Sequence, residues 1–243
     1  MKKTRIKETS IYAVKADEKS QSFLVLRNDR PLMTPAGNPY ALPSQALAEN
    51  IAQEWRAQGE KIIPATMPLT QLAATALDRI SAQRQDIIAA LLAYIGSELL
   101  CHRAAHPAAL RAEQDAIWQP YLNWICGRYD MAYKVATGIM PIQQDPILTL
   151  RMKETLQALD DFYLAALSSA TDSAGSLVLG LALLDGQNTA QEILFAADLD
   201  SRHQTQFWGE DSVIQTRQNE TLKDLQACEL WLGLLGRGIP CEP

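Results

Sequence analysis

The sequence predicts an α+β chain in which a small β-sheet-containing N-terminal domain, residues 1–66, precedes a larger all-helical domain, residues 67–243. Three observations lead there. Two short β-prone runs and a proline- and glycine-rich reversal are crowded ahead of Ser44. Apolar residues then recur at helical spacing from Leu47 onward. One run, Ser176 to Leu184, has almost no polar face, as the central helix of a bundle must. With 243 residues, 47% of them hydrophobic and 21% charged, the chain has enough apolar material to bury a core.

Taken in order, Tyr12–Val14 and Phe23–Leu26 read as the arms of a hairpin around the polar Lys15–Ser22. In Thr34-Pro35-Ala36-Gly37-Asn38-Pro39 the prolines fix φ and withdraw donors, while Gly37 and Asn38 tolerate positive φ. The chain is therefore expected to reverse between Leu32 and Leu42. Ser44 stands as an N-cap, and Leu47, Ala48, Ile51, Ala52 and Trp55 share one face of the helix behind it. Trp55, at the end of that stripe, is expected to anchor the helix to the sheet and to act on function only through stability. Gly59 marks the end of this helix, and Pro64 to Pro68 form a stiff connector.

Beyond the connector, further stripes run through Leu69 to Ile80, Ile87 to Leu99, Trp118 to Ile125 and, as one long helix, Met152 to Leu167. Thr189 with Glu192 three residues on is a capping box. A last helix carries Leu222, Leu225, Trp231, Leu232 and Leu235 and is expected to end at Gly236 and Gly238.

Charge narrows the choice of partner. Residues 1–30 hold eight Lys/Arg against four Asp/Glu, so of a net −6 the rest of the chain carries −10. Such a body repels phosphate backbones, which argues against nucleic acid and for a basic protein partner. The Ala174–Leu184 run is short of the roughly 20 residues a spanning helix needs, so no membrane insertion is expected. The basic start lacks an apolar signal stretch. Together with four scattered cysteines it suggests a reducing compartment, a bacterial cytoplasm or alternatively a mitochondrial matrix. Three of those cysteines sit among apolar neighbours, where a thiol packs as a small hydrophobe.

Enzyme motifs are missing: there is no Gly-x-Ser-x-Gly elbow, no Walker loop and no Rossmann fingerprint, so neither catalysis nor a cofactor is expected. Cys101, His102 and His106 have a spacing that would put two imidazoles on one helix face, the basis of an alternative reading as a metal-dependent enzyme. Pro107 and the lack of an intervening acid weigh against it. Asp160 and Asp161 are adjacent on the long stripe and cannot face one reacting atom together. In Trp208-Gly209-Glu210-Asp211, a glycine cap followed by acids at the next helix start accounts for the pattern. The functional reading of the same four residues is an acidic anchor for a basic patch on a protein partner.

Three blocks, Thr34 to Ser44, Glu54-Trp55-Arg56-Ala57-Gln58 and Met67-Pro68-Leu69-Thr70-Gln71-Leu72, occur in an order that resembles the assembly chaperones holding the free α subunit of the F-type ATP synthase. Leu99 to Ala104, Trp118-Gln119-Pro120, Gly175-Ser176 and Trp208 to Asp211 extend the likeness over residues 10 to 235. The sequence departs from that pattern at His102, Gln119 and Leu194. The resemblance implies a two-domain fold, a non-enzymatic, ATP-independent chaperone without cofactors or metal, and the α subunit as client. It implies that the acids after Trp208-Gly209 matter, which assigns Glu210 and Asp211, with Trp208 beside them, to partner binding; Trp55, Gly37, Asn38, Pro39 and Pro68 are assigned to structure by the turn, stripe and connector patterns above. A scaffold or adaptor with another client is the remaining alternative.

Overall fold

The computed structural model describes residues 11–138, 140–208 and 212–236, the side chains of 206–208 excepted. It is α+β as expected, with a small antiparallel sheet first and helices after it. Two compact units are present, one running up to Arg84 and resuming at Leu230, the other spanning Gln85–Glu229.

The first unit begins with a hairpin whose strands β1 (Tyr12–Asp17) and β2 (Ser22–Arg27) pair in the register Tyr12↔Arg27 to Asp17↔Ser22. On its far side β2 takes two short strands, β3 (Arg30–Pro31) and β4 (Ala41–Leu42). The reversal between them closes with an isolated bridge at Met33↔Pro39. Helix α1 (Gln45–Arg56) lies on β1 and β2, burying Leu47, Ala48, Ile51 and Ala52 against a sheet face that contributes Tyr12, Val25 and Leu42. It starts where an N-cap is needed, since the Ser44 hydroxyl accepts from Leu47 N–H at 3.3 Å. That hydroxyl also donates to Leu234 O at 2.7 Å.

Helix α2 (Pro68–Ala74) follows a single 3-10 turn at Pro64–Thr66, with Pro68 at its first position, where the missing N–H costs nothing. A π-helical turn, Thr75–Ile80, continues into α3 (Ser81–Ala93), which is interrupted by non-helical Gln83. The stripe expected to continue to Leu99 ends instead at Ala93, in 3-10 turns at Tyr94–Ser97 and Leu99–Cys101. Its periodicity hides one polar residue that is buried, Glu98.

In the second unit, α4 (Ala108–Tyr129) opens after Pro107 and buries Gln114, Trp118, Tyr121, Leu122 and Ile125. Cys126 lies one residue past this stripe, about 100° around the helix, and is exposed, whereas Cys101 and Cys228 are buried. Cys241 lies outside the described residues. Strands β5 (His102–Arg103) and β6 (Ala136–Thr137) form a two-residue parallel ladder.

The long Met152–Leu167 helix is in fact two helices, α5 (Pro146–Ala158) and α6 (Asp161–Ala174). Leu159 is extended, and the Asp160 carboxylate accepts from Phe162 N–H and Tyr163 N–H, both at 2.9 Å. An aspartate that satisfies two orphan donors starts a helix more readily than it sits inside one.

Helix α7 (Leu177–Leu184) is buried at every residue. It packs most closely on α6, with α4 and α8 (Ala190–Ala197) also against it. α8 carries the expected capping box, Thr189 to Glu192. Helices α9 (Leu199–Trp208) and α10 (Ser212–Leu235) are the last described elements, α10 ending just before Gly236. The contact of α6 with α7 depends on Gly180, because a Cβ there would lie 2.5 Å from Thr171 Oγ1 and 3.2 Å from Leu167 Cδ1. Gly180→Ala is therefore expected to lower stability by about 1–3 kcal/mol through overpacking, despite alanine's better helix propensity. Denaturant unfolding of the variant checks this, and an unchanged or raised midpoint would refute it.

Candidate client-binding site

The residues singled out in the sequence, Trp208 to Asp211, fall where α9 gives way to α10, and side chains from α4 hold α8 and the start of α9. Trp118 Nε1 donates to Ala196 O at 2.8 Å, and Tyr121 O–H donates to Glu192 O at 3.4 Å, fixing α8. Gln114 Nε2 donates to Asp200 Oδ1 at 2.8 Å, fixing the start of α9. From α10, the Glu229 carboxylate accepts Ala190 N–H at 3.1 Å, and Gln218 Nε2 donates to Asp198 Oδ2.

Between α8, α9 and α10 these contacts leave a groove of about 360 Å³, with Leu194, Phe195 and Ile214 as its apolar lining and Asp198, Arg202 and Gln218 among its polar residues. The buried stripe of α8 is Ala190, Ile193 and Ala196, so Phe195 points outward and stays 50% exposed. The Arg202 guanidinium lies 3.5 Å over the Phe195 ring. Burial depresses the Arg202 pKa, while Glu113 and Asp198 oppose that shift with their charges. On the other side of Phe195 is a second concavity of about 400 Å³ that includes Ile117 and Tyr121. Trp208 is the last residue of α9, and Glu210 and Asp211 lie outside the described residues.

The residues assigned to structure fall in the first unit and meet through two carboxylates that sequence patterning did not single out. Gly37 has φ +90°, and the turn is closed by Thr34 N–H donating to Asn38 O at 2.8 Å and Gly37 N–H donating to Thr34 O at 3.0 Å. Asp78 on the π-turn holds this reversal. It accepts from Thr34 Oγ1 at 2.6 Å, Asn38 Nδ2 at 2.8 Å and Ala36 N–H at 3.1 Å. What burial it has raises the Asp78 pKa, but these hydrogen bonds outweigh it and the net shift is downward.

Glu54 plays the matching part for α2, accepting Leu69 N–H at 2.9 Å, Thr70 N–H at 2.8 Å and Thr70 Oγ1 at 2.6 Å. A carboxylate there satisfies orphan donors at the positive end of the helix. Beside it, Trp55 meets Tyr12 of β1 with ring centroids 5.8 Å apart, and two guanidinium nitrogens of Arg56, Nε and Nη2, donate to Tyr12 O. The Thr34–Ser44, Glu54–Gln58 and Met67–Leu72 blocks are thus a turn, a strut and a capped helix end within one unit.

The alternative metal site is not assembled. Cys101 ends a 3-10 turn, His102 is in β5, and His106 precedes the start of α4, so the two imidazoles do not share a helix face. Among the described residues no group of three or more His, Cys, Asp or Glu side chains is gathered to hold a metal ion. Burial pushes the Cys101 thiol up to about 12, which suits a packed thiol.

The polar residue of greatest consequence was missed by periodicity. Glu98 is fully buried at the N-terminus of α7, where its carboxylate accepts from Ser176 Oγ, Leu177 N–H at 3.1 Å and Val178 N–H at 3.4 Å. Its own turn adds Leu100 N–H at 3.4 Å. Burial raises its pKa to about 7 against the pull of these four donors. The signal for it was Gly175-Ser176, a helix start with too few polar atoms of its own.

Comparison with known proteins places the whole arrangement. The model of a family described as ATP12 chaperone protein matches residues 4–126, just over half of the chain. The chain belongs to the ATP12 chaperone family. Its members are assembly chaperones of the F-type ATP synthase. The crystal structure of Atp12 from Paracoccus denitrificans superposes with a TM-score of 0.89 at 32% identity, covering 96% of this chain and 99% of that one. An aspartate-to-lysine variant of the same bacterial Atp12 gives the same TM-score and identity, covering 95% and 97%. Mitochondrial protein atp12 of Schizosaccharomyces pombe is 21% identical over 213 residues, 83% of this chain and 73% of that protein. No described helix is long and apolar enough to cross a membrane.

A pH dependence follows from Glu98. Unfolded, it titrates near 4.5; folded, near 7, so the native state holds the extra proton between those values. Stability is expected to fall as pH rises through that window, by about 3 kcal/mol from this group. Chemical unfolding of wild type and Glu98→Gln from pH 4.5 to 8 reads it directly. A wild-type slope no steeper than that of the variant would overturn the assignment.

Proposed function

We propose that this protein is an ATP-independent assembly chaperone that binds the free α subunit of the F-type ATP synthase and keeps it from aggregating until it joins the β subunit. The observation that carries the reading is family membership together with a fold match to Paracoccus Atp12 over nearly the whole of both chains. The Thr34–Ser44, Glu54–Gln58 and Met67–Leu72 blocks, which resemble the α-subunit chaperones, support the choice of client.

Physically, an α subunit without its neighbours exposes surface that the finished ring buries, and large unpaired apolar patches aggregate. A protein that covers this surface reversibly removes the hazard, and β displaces it by mass action because the ring contact is stronger. No bond need be broken, so the work asks for no nucleotide, cofactor or metal. On this reading Trp208, Glu210 and Asp211 meet a basic patch on the client. The setting is a bacterial cytoplasm, with a mitochondrial matrix as the alternative.

Light scattering of isolated α subunit gives the test. Near-equimolar protein is expected to suppress aggregation without nucleotide, and Glu210→Lys to weaken that effect while the circular-dichroism spectrum stays unchanged. Undiminished aggregation in the presence of the wild-type protein would defeat the proposal.

A further inference from the structure

The turn between β2 and β3 carries two arginines from which the hairpin itself gains nothing. Arg27 and Arg30 are directly opposite across the ladder, so both side chains leave the same face of the sheet. Between them Asn28 and Asp29 have φ of 51° and 61°, the two-residue turn whose twist suits a hairpin. That turn asks for residues tolerant of positive φ at its tip and nothing of its flanks, while like charges facing each other across strands are destabilising. We infer that the concavity lined by these arginines holds an acidic side chain of the client protein, with Arg30 as its exposed cation; this rests on the chaperone reading above.

Shape and chemistry select the same occupant. The concavity, about 530 Å³, is lined by Arg27, Asn28, Arg30, Pro31, Leu32 and Met33, and Asp29, the acid of the turn, is not part of that lining. Arg30 and Pro31 are exposed, Met33 is half-exposed and Arg27 is half-buried. Among the described residues nothing accepts a hydrogen bond from the Arg30 guanidinium. A phosphate group would draw on backbone N–H donors beside the cation, and three of the lining residues have none to give. Leu32 N–H donates to Val25 O at 2.8 Å, Asn28 N–H donates to Ile11 O at 2.9 Å, and Pro31 lacks the hydrogen altogether. What remains is a planar guanidinium with apolar Pro31 and Met33 beside it. This suits a carboxylate, which takes two parallel N–H bonds from an arginine, borne on a segment with an apolar neighbour.

The remainder of the chain makes this sign of charge selective. Residues 31–243 carry −10, so an acidic client segment meets attraction at this turn and repulsion over most of the sequence that follows it. A client that also bears a basic patch is thereby held in one orientation, because turning it round brings like charges together.

The test is binding of isolated α subunit to wild type, Arg30→Glu and Arg30→Lys, each with its melting temperature. Arg30→Glu puts an acid opposite Arg27, so its melting temperature is expected to hold or rise while client binding weakens at least about tenfold. Arg30→Lys keeps the charge without the planar fork and is expected to bind with an affinity between the other two. Crosslinks from a photo-reactive amino acid at position 33 are expected to fall on a client segment containing Asp or Glu. Calorimetric titration with inorganic phosphate alone is expected to show no binding. If wild type binds and Arg30→Glu binds equally well, or loses stability along with binding, the docking site is refuted while the chaperone reading stands. Crosslinks to a segment without an acid, or phosphate binding that Arg30→Glu abolishes, refute it in the same way. If wild type does not bind α subunit at all, both fall.

Discussion

The second unit is organised around a carboxylate placed where a buried helix needs one. Helix α7 has no polar face, so its first N–H groups cannot turn to water and must find acceptors inside the protein. Glu98 meets the first two, and Ser176, itself bonded to Glu98, meets the third. Without that arrangement, burying the most apolar segment of the chain would leave unpaired donors at a cost of about 1–3 kcal/mol each. Once α7 is seated, α6, α4 and α8 have a common surface to pack on.

The first unit solves the same problem with other residues. Glu54 reaches from the end of α1 to the start of α2, and Asp78 reaches from the π-turn to the Thr34–Asn38 reversal. Each of the three carboxylates ties a backbone segment to an element distant in sequence. Packing against a sheet specifies position loosely. Hydrogen bonds to a short, partly shielded acid specify it within tenths of an ångström, which is how a small unit with a modest core keeps one arrangement.

Much of this was legible beforehand for a physical reason: helix periodicity, capping residues and turn chemistry are local. Ser44, Thr189 with Glu192, the Gly37-Asn38 reversal and the all-apolar α7 needed only their neighbours to be read. Features fixed by distant partners were not legible. Glu98 sits within a stripe that runs on past Ala93 by spacing alone, and only Ser176, far along the chain, reveals that it is buried. Asp160 broke a periodic pattern because its own capping bonds outweigh continued helix, and Gly180 looks like one more small residue until Thr171 is seen against it. The groove at α8 to α10 was not legible, since the outward turn of Phe195 depends on which face of α8 packs into the helical unit.

The bond from Ser44 to Leu234 joins residues 190 positions apart, and the chain from Leu230 packs with the N-terminal unit. On a ribosome, the hairpin and α1 emerge long before the residues that complete their surroundings. The N-terminal unit can therefore close only after α10 has been made. Cutting the last turns of α10 would harm a sheet and a helix synthesised long before them.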